Sequence, residues 1–181
     1  MSSRNARLRA MVAMAATLGG IHAAAQQGPG LGQPISAADL APWDISIQPN
    51  GAGLPAGSGT SAKGAEIYSV KCIACHGERG AGQPNDRLVG GQGTMREAAP
   101  IRTVGSYWPY ATTVFDYIRR AMPYVTPHSL TADETYAVTA YLLALNGVID
   151  DADVMDATTL PKVEMPNRAN FDSAYREPRR R

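Results

Sequence analysis

The stretch "KCIACHGERG", residues 71–80, constrains this chain of 181 residues more than any other part of its sequence. It contains both cysteines of the chain, Cys72 and Cys75, three positions apart, and His76 follows directly. Cysteines at this spacing serve as a structural disulfide, a redox-active dithiol, half of a zinc site or an attachment site for haem. Each of these uses makes a different demand on the surrounding sequence.

The surrounding sequence argues against the first three uses. A disulfide between cysteines three apart is strained and closes a very small loop, so it contributes little stability. A thioredoxin-like dithiol belongs to a strand–helix–strand unit, whereas the sequence around this motif is helical and rich in glycine. A zinc site needs a second Cys/His pair, but the other histidines are His22, near the N-terminus, and the isolated His128.

The fourth use fits the motif and its setting. In c-type haem attachment two thiols add to the vinyl groups of haem and the adjoining histidine ligates iron. One helical turn would present Cys72 and Cys75 to the same porphyrin edge and place His76 beneath the iron. We therefore predict one covalently bound haem c. A covalent staple of this kind also suits an ordered region of fewer than about 90 residues, whose core alone is marginal.

The first 25 residues predict an export signal. A basic start with three arginines is followed by an apolar stretch at residues 11–21 and by three alanines at residues 23–25. A retained membrane anchor is the rival interpretation, but a spanning helix needs about 20 apolar residues. We expect cleavage before Gln26, a periplasmic mature chain without a membrane span, and a net charge that changes from +1 to −2. No basic surface for nucleic acid would remain.

The rest of the chain divides into three predicted parts. Residues 26–59 form an N-terminal arm rich in glycine and proline, in which "APWDISIQPNG" predicts a short strand or an extended docking segment. Residues 60–148 form the structured domain, and residues 149–181 form a C-terminal extension. Within the domain, six glycines at residues 77–93 indicate an irregular loop that passes close to a bulky group.

Three helices are predicted inside the domain, which makes the fold class all-α. Their boundaries follow from capping residues, from proline and from glycine. In chain order they run from Thr60-Ser61 toward Cys72, from Thr112 or Thr113 to Met122-Pro123, and from the capping box of Thr131 and Glu134 to Asn146-Gly147. Gly64 and Tyr68 of the first helix are expected to pack against the last helix near Tyr141.

A methionine is the expected second iron ligand, because thioether ligation raises the reduction potential of such a haem relative to two histidines. Two methionines after residue 25 precede a proline that would stiffen the loop around the sulfur, Met122 and Met165. Met95 and His128 are the other candidates. Any single methionine can instead fill an apolar gap, which is our expectation for Met155 and Met165.

Several segments resemble class I cytochromes c over residues 60–148: "GAEIYSVKCIACHGERGAG", the Met-Pro at 122–123 and "SLTADETYAVTAYLLALNG". More narrowly, "LVGGQGT", "TVGSYWPYATTVFDYIRRAMP" and the arm "WDISIQPNGAGLPAGSGT" are similar to monohaem cytochrome subunits. Those subunits pair with molybdenum sulfite or sulfur dehydrogenases of the Sox and sulfite-oxidising type. Some members of that group carry a second haem, whereas this chain has one Cys-x-x-Cys-His motif.

The resemblance implies a small class I fold around one haem, with thioethers at Cys72 and Cys75. It implies His76 as the proximal ligand and Met122 as the distal ligand, because the ligand methionine of this family lies between the haem motif and the last helix. It also implies that the chain is no enzyme by itself but a haem subunit of an oxidoreductase complex. This subunit would accept electrons from a molybdenum-containing sulfite or sulfur dehydrogenase subunit and pass them to a soluble cytochrome c.

Two other functions remain open from the sequence. A free-standing, diffusible cytochrome c would serve another respiratory dehydrogenase or oxidase, although such a shuttle has little use for long terminal extensions. A catalytic haem, as in a peroxidase, would want an open ligand position. Around the haem, the rings of "SYWPY" are candidates for porphyrin packing, and Arg119 or Arg120 is a candidate partner of a propionate.

Overall fold

The computed structural model describes residues 31–171, in two compact units that divide between Asp44 and Ile45. The predicted export signal at residues 1–25 lies outside the described residues, as does the end of the predicted C-terminal extension. In the first unit, one short helix, α1 (Ala37–Leu40), begins after Ser36. The Ser36 hydroxyl caps this helix by accepting the N–H of Asp39 at 3.2 Å.

The second unit contains four helices and two strands among its described residues. They are, in chain order, β1 (Ser58–Thr60), α2 (Ser61–Lys71), α3 (Ile73–His76), α4 (Ala111–Ala121), α5 (Ala132–Leu145) and β2 (Val154–Asp156). Short 3-10 turns are present at Glu78–Gly80, Thr94–Arg96, Leu160–Lys162 and Arg168–Asn170. The three longer helices, α2, α4 and α5, are the three that the sequence predicts.

The helix boundaries follow the capping residues. The Thr60 hydroxyl accepts the N–H of Lys63 at 3.3 Å at the start of α2. At the start of α5, Thr131 and Glu134 form both bonds of the predicted capping box. That helix ends at Asn146, and Gly147 follows with φ +66°, a conformation that glycine adopts without strain. The predicted end of α4 is confirmed at Met122, although the helix starts one residue earlier than predicted, at Ala111.

Helices α2 and α5 cross at a glycine. A Cβ atom at Gly64 would lie 2.6 Å from the Cβ of Tyr141 and would also overlap the backbone of Ala137. The rings of Tyr68 and Tyr141 pack beside this crossing with centroids 5.3 Å apart. The predicted packing of the first helix against the last is therefore confirmed, and it depends on the missing side chain of Gly64.

The all-α prediction is correct only in part, because β1 and β2 form a two-stranded antiparallel sheet that pairs Gly59 with Met155. The sheet lies on α5, where a Cβ atom at Gly59 would meet the backbone of Ala137. Three-residue strands are too short for an alternating pattern to reveal them. What stabilises this pair is its packing on a helix that is distant in sequence.

Parts of both predicted extensions belong to the hydrophobic core. Ile47 on the N-terminal side and Met155, Leu160 and Met165 on the C-terminal side are all buried. Met155 and Met165 thus fill apolar space, as predicted. The "APWDISIQPNG" segment, residues 41–51, forms no strand in the described part of the chain and includes turns at residues 41–43 and 49–50, so the strand prediction is wrong there.

Across residues 31–171, the longest helix has 14 residues, and none is long and apolar enough to cross a bilayer.

Candidate functional site

The Cys-x-x-Cys-His motif forms a single helical turn. Helix α2 ends at Lys71, the backbone bends at Cys72, and α3 continues to His76. The carbonyl of Cys72 accepts the N–H groups of both Cys75, at 3.1 Å, and His76, at 3.0 Å. This turn brings the two thiols and the imidazole to one side of the chain, as the sequence predicts.

No disulfide joins the two cysteines of the motif. Cys72 is partly buried and Cys75 is exposed. Burial raises the pKa of the Cys72 thiol to about 11, although the nearby Lys71 ammonium opposes this effect. Redox-active cysteines in this spacing have lowered pKa values, because the thiolate is the reacting form. The environment of Cys72 therefore differs from that of a reactive dithiol.

The orientation of His76 is set by the backbone of the following loop. Its Nδ1 lies 2.9 Å from the carbonyl oxygen of Asp86. Because a carbonyl oxygen can only accept a hydrogen bond, Nδ1 carries the proton and Nε2 keeps its lone pair. Metal-binding histidines are commonly held in this way, through the nitrogen that does not bind the metal.

One cavity of about 420 Å³ collects all four predicted site residues. Cys72, Cys75 and His76 line it from the helical turn, and Met122 lines it from the end of α4. Met122 lies 46 positions after His76 in the sequence, so the packing of α4 on α5 and of α5 on α2 is what brings them to the same space. The rest of the wall is mainly apolar and includes Val114, Ile118, Leu130, Val138 and Leu142.

The other candidates for the distal ligand lie elsewhere. Met95 lines a second cavity, beside Ser106 and Pro166. Met165 is buried in the hydrophobic core, and His128 is exposed on the loop between α4 and α5. Among the candidates that the sequence left open, Met122 is the one that lines the cavity of the motif.

The basic groups at the cavity differ from those predicted. Neither Arg119 nor Arg120 lines it within the described structure, and Arg120 instead pairs with Asp116 at 2.8 Å. Arg87 and Arg102 line the cavity. Both arginines were candidates because they are near Met122 in sequence, and their pairing with a propionate stays a prediction that the cavity lining does not favour.

Of the three rings that were candidates for porphyrin packing, one lies at the cavity. Trp108 lines the cavity and packs edge-on against Tyr117, with ring centroids 5.6 Å apart. Tyr107 and Tyr110 lie outside the cavity lining, and each ring is instead covered by an arginine, Arg102 and Arg168 respectively. A cation over an aromatic face is a favourable surface contact.

The glycine-rich loop at residues 77–93 is irregular, as predicted, and all six of its glycines have positive φ. Gly77 ends α3 with φ +72°, and its carbonyl accepts the hydroxyl of Tyr68 at 2.9 Å. Burial raises the pKa of Tyr68 to about 12. The exit of the chain from the motif is thereby tied to α2.

Two contributors to the site escaped the sequence analysis. Asp86 acts through its backbone carbonyl, so its side chain carries no signal of the role. Tyr68 lines the cavity and its hydroxyl binds the Gly77 carbonyl, whereas the sequence indicates it only as a packing residue against the last helix. A helical wheel centred on the motif would have indicated Tyr68, one turn before Cys72.

Comparison with known proteins agrees with this geometry. The sequence model of the cytochrome c family matches residues 61–146. A chain in the crystal structure of the sulfane dehydrogenase SoxCD from Paracoccus pantotrophus is 38% identical to this chain, with a TM-score of 0.76. That match covers 80% of this chain and 72% of the other. No curated protein matches significantly.

The chain belongs to the cytochrome c family. Its cofactor is covalently bound haem c, for which Cys72 and Cys75 have the spacing of the family motif. The described residues suit this cofactor: a mainly apolar cavity contains two thiols, an imidazole with a free Nε2 and a thioether. When bound, haem iron supplies a one-electron couple, which makes the protein an electron carrier.

Proposed function

We propose that this protein is the electron-accepting haem subunit of a periplasmic sulfite or sulfur dehydrogenase. In this function Cys72 and Cys75 hold the haem through thioether bonds, His76 is the proximal iron ligand and Met122 is the distal ligand. A molybdenum-containing subunit oxidises the sulfur substrate, and a soluble cytochrome c receives the electrons. The chain on its own is then an electron carrier without a substrate-oxidising centre.

The similarity to a chain of the sulfane dehydrogenase SoxCD is the observation that carries this proposal. It covers 80% of the chain, considerably more than the residues 61–146 that the family model matches. The likeness therefore includes segments outside the common cytochrome c domain. A partner of the same kind is the simplest reason for two cytochromes to share such additional segments.

The ligand assignment is supported by the cavity. His76 is fixed with Nε2 free, and Met122 lines the same space from another helix. Pro123 follows Met122 directly and restricts the backbone there, so the thioether is carried on a stiff segment. Arg87 and Arg102 are suited to neutralise the two haem propionates, since guanidinium groups match carboxylates well.

Export to the periplasm is supported by the N-terminal sequence and by the family. Residues 1–25 have the basic, apolar and small-residue regions of a signal peptide. Covalent haem attachment belongs to compartments outside the cytoplasm. Edman or mass-spectrometric analysis of the protein from the periplasmic fraction should find a mature N-terminus near Gln26.

The Met122 assignment is tested by a pair of variants. Met122→Ala should abolish the Met-to-iron charge-transfer band of the oxidised protein and lower its reduction potential, because the thioether favours the ferrous form. Met95→Ala is the matched control and should leave both unchanged, since Met95 lines a different cavity. An unchanged band in Met122→Ala would show that another group ligates the iron.

The partner is tested by reduction. The purified cytochrome should stay oxidised when sulfite is added alone and should become reduced once the molybdenum-containing dehydrogenase subunit is present. Haem c absorbance reports the reduction directly. Reduction by sulfite without that subunit would contradict the proposed division of labour. Reduction by an unrelated respiratory dehydrogenase, with no response to the sulfur enzyme, would identify a diffusible cytochrome instead.

A further inference from the structure

Asn146, which follows the last residue of α5 as its C-cap, is one of two buried asparagines among the described residues. Its side-chain Nδ2 donates to the carbonyl of Leu142 at 2.8 Å, within its own helix, and to the carbonyl of Leu88 at 3.2 Å. Its Oδ1 accepts the N–H of Gly90 at 3.0 Å. The carboxamide thus joins the end of α5 to two backbone groups of the glycine-rich loop.

A second side chain completes this network. Gln92 Nε2 donates to the backbone carbonyl of Asn146 at 3.0 Å and lies 3.4 Å from its Oδ1. Both donors and both acceptor positions of the Asn146 carboxamide are therefore used. Gly105 packs directly on this side chain, because a Cβ atom there would lie 2.5 Å from Asn146 Oδ1. Asn146 therefore contacts the loop at residues 88–92 and Gly105 in addition to its own helix.

The loop that Asn146 holds is the loop that orients His76. Asp86, whose carbonyl accepts the imidazole Nδ1–H, is two residues from Leu88. Between the motif and this point the loop is tied to the motif backbone, since Asn85 N–H donates to the carbonyl of Cys75 at 2.8 Å. Asp86 therefore lies between one attachment to the motif and one attachment to Asn146.

We propose that Asn146 is a positioning residue for the haem iron, acting through this loop on His76. By holding Leu88 and Gly90, it keeps the Asp86 carbonyl within hydrogen-bond distance of Nδ1 and thereby fixes the ring orientation and basicity of His76. The proposal rests on the proposed function, in which His76 ligates iron. A hydrogen bond to Nδ1 makes the imidazole a stronger donor and so stabilises the ferric state.

The test compares two substitutions of buried asparagine. In the haem-loaded protein, Asn146→Ala should shift the equilibrium toward the ferrous form by about threefold or more, which is a rise of about 28 mV for a one-electron couple. The Nδ1–H signal of His76 in the NMR spectrum should exchange faster with solvent. Both readouts report the ligand and not the overall stability.

Asn167→Ala is the matched control. Asn167 is also buried and lines a cavity with Gln92, but its Nδ2 donates to the carbonyl of Tyr107 at 2.9 Å, and within the described structure its side chain makes no hydrogen bond to residues 82–92. It should lower stability while leaving the potential and the His76 signal as in the wild type. If Asn146→Ala yields no haem-loaded protein, Asn146→Ser is measured in its place. The serine side chain can still support the end of the helix, but it is too short to reach the carbonyl of Leu88.

The outcomes separate this inference from the proposed function. A wild-type spectrum without histidine-ligated haem would overturn the proposed function itself. If the wild type has that spectrum, three outcomes overturn the role of Asn146 alone. The reduction potential of Asn146→Ala falls, it stays unchanged, or the potential of Asn167→Ala rises by the same amount. A rise confined to the Asn146 variant, with faster exchange at Nδ1, supports it.

Discussion

At the scale of single residues, backbone carbonyls position the side chains on which the site depends. The carbonyl of Asp86 accepts the Nδ1–H of His76 and so leaves Nε2 free, and the carbonyl of Gly77 accepts the hydroxyl of Tyr68. Such contacts depend on the path of the chain and not on the identity of the residue that supplies the oxygen. They explain how a loop containing six glycines can still define a rigid site.

One half-buried carboxylate makes the stability of the fold sensitive to acid. Asp156, in β2, accepts hydrogen bonds from the hydroxyl and the N–H of Thr158, each at 2.7 Å, and from the N–H of Thr159 at 2.9 Å. These bonds, with the Thr158 hydroxyl first, lower the pKa of Asp156 from 3.8 to about 2. Because the folded state binds the proton less tightly, the stabilisation is complete above about pH 4 and is lost as the pH falls toward 2.

We therefore expect Asp156→Asn to flatten the pH dependence of stability between about pH 4 and pH 2, with lower stability than the wild type at neutral pH. Urea unfolding followed by circular dichroism at several pH values measures this. Thr158→Ala removes the strongest donor and should move the acid loss to higher pH. An Asp156→Asn profile parallel to that of the wild type would contradict the assignment.

At the scale of secondary structure, the fold depends on the close approach of α2 and α5. Gly64 permits the crossing, and an ion pair between Lys71 and Glu134, at 2.7 Å, joins the last turn of α2 to the first turn of α5. Lys71 immediately precedes Cys72. The contact that packs the two helices therefore also places the haem motif relative to α5, which supplies part of the cavity wall.

The substitution Gly64→Ala should destabilise the protein by about 1–3 kcal/mol, although alanine is the better helix former by about 1 kcal/mol. The added methyl group would overlap the backbone of Ala137 and the Cβ of Tyr141, neither of which is a flexible side-chain end. Ser69→Ala, on the exposed side of the same helix, is the control and should change stability by less than about 0.5 kcal/mol. Thermal unfolding measures the stability of both variants, and equal effects of the two substitutions would contradict the packing argument.

At the scale of the whole molecule, the predicted extensions cannot be treated as free arms. Ile47 precedes the predicted domain and Leu160 follows it, yet both are buried in the core, and β1 pairs with β2. A deletion that ends at residue 59 therefore removes core contacts. A loss of partner binding in such a variant would say nothing about docking, because the cytochrome itself would be destabilised.

Two N-terminal deletions should accordingly behave differently. Removal of residues 26–44 should leave the melting temperature of the cytochrome unchanged, because every core residue among the described positions lies between Ile47 and Met165. Removal of residues 26–59 should cost at least about 2 kcal/mol, since it exposes the surface covered by Ile47 and removes two of the three residues of β1. Calorimetry on both haem-loaded variants measures the difference. Equal melting temperatures would contradict the structural role of residues 45–59.

The local features of this protein were determined by its sequence. The spacing of Cys72, Cys75 and His76 specifies the haem motif, and capping residues specify the helices, because these signals act within one or two turns of backbone. Thr131 with Glu134, and Met122 before Pro123, are signals of this kind. The close approach at Gly64 was also predictable, since a glycine on an apolar helix face has few other uses.

The distant pairings were decided only by the tertiary structure. The sheet of β1 and β2, the arginines at the cavity and the carbonyl that orients His76 all join positions that no local pattern connects. Arg102 lines the cavity while Arg119 does not, because the fold and not the distance along the chain sets which side chains share a space. Asn146 illustrates both cases. The sequence indicates a helix end there, and only the tertiary structure shows that its side chain contacts the loop beside the haem motif.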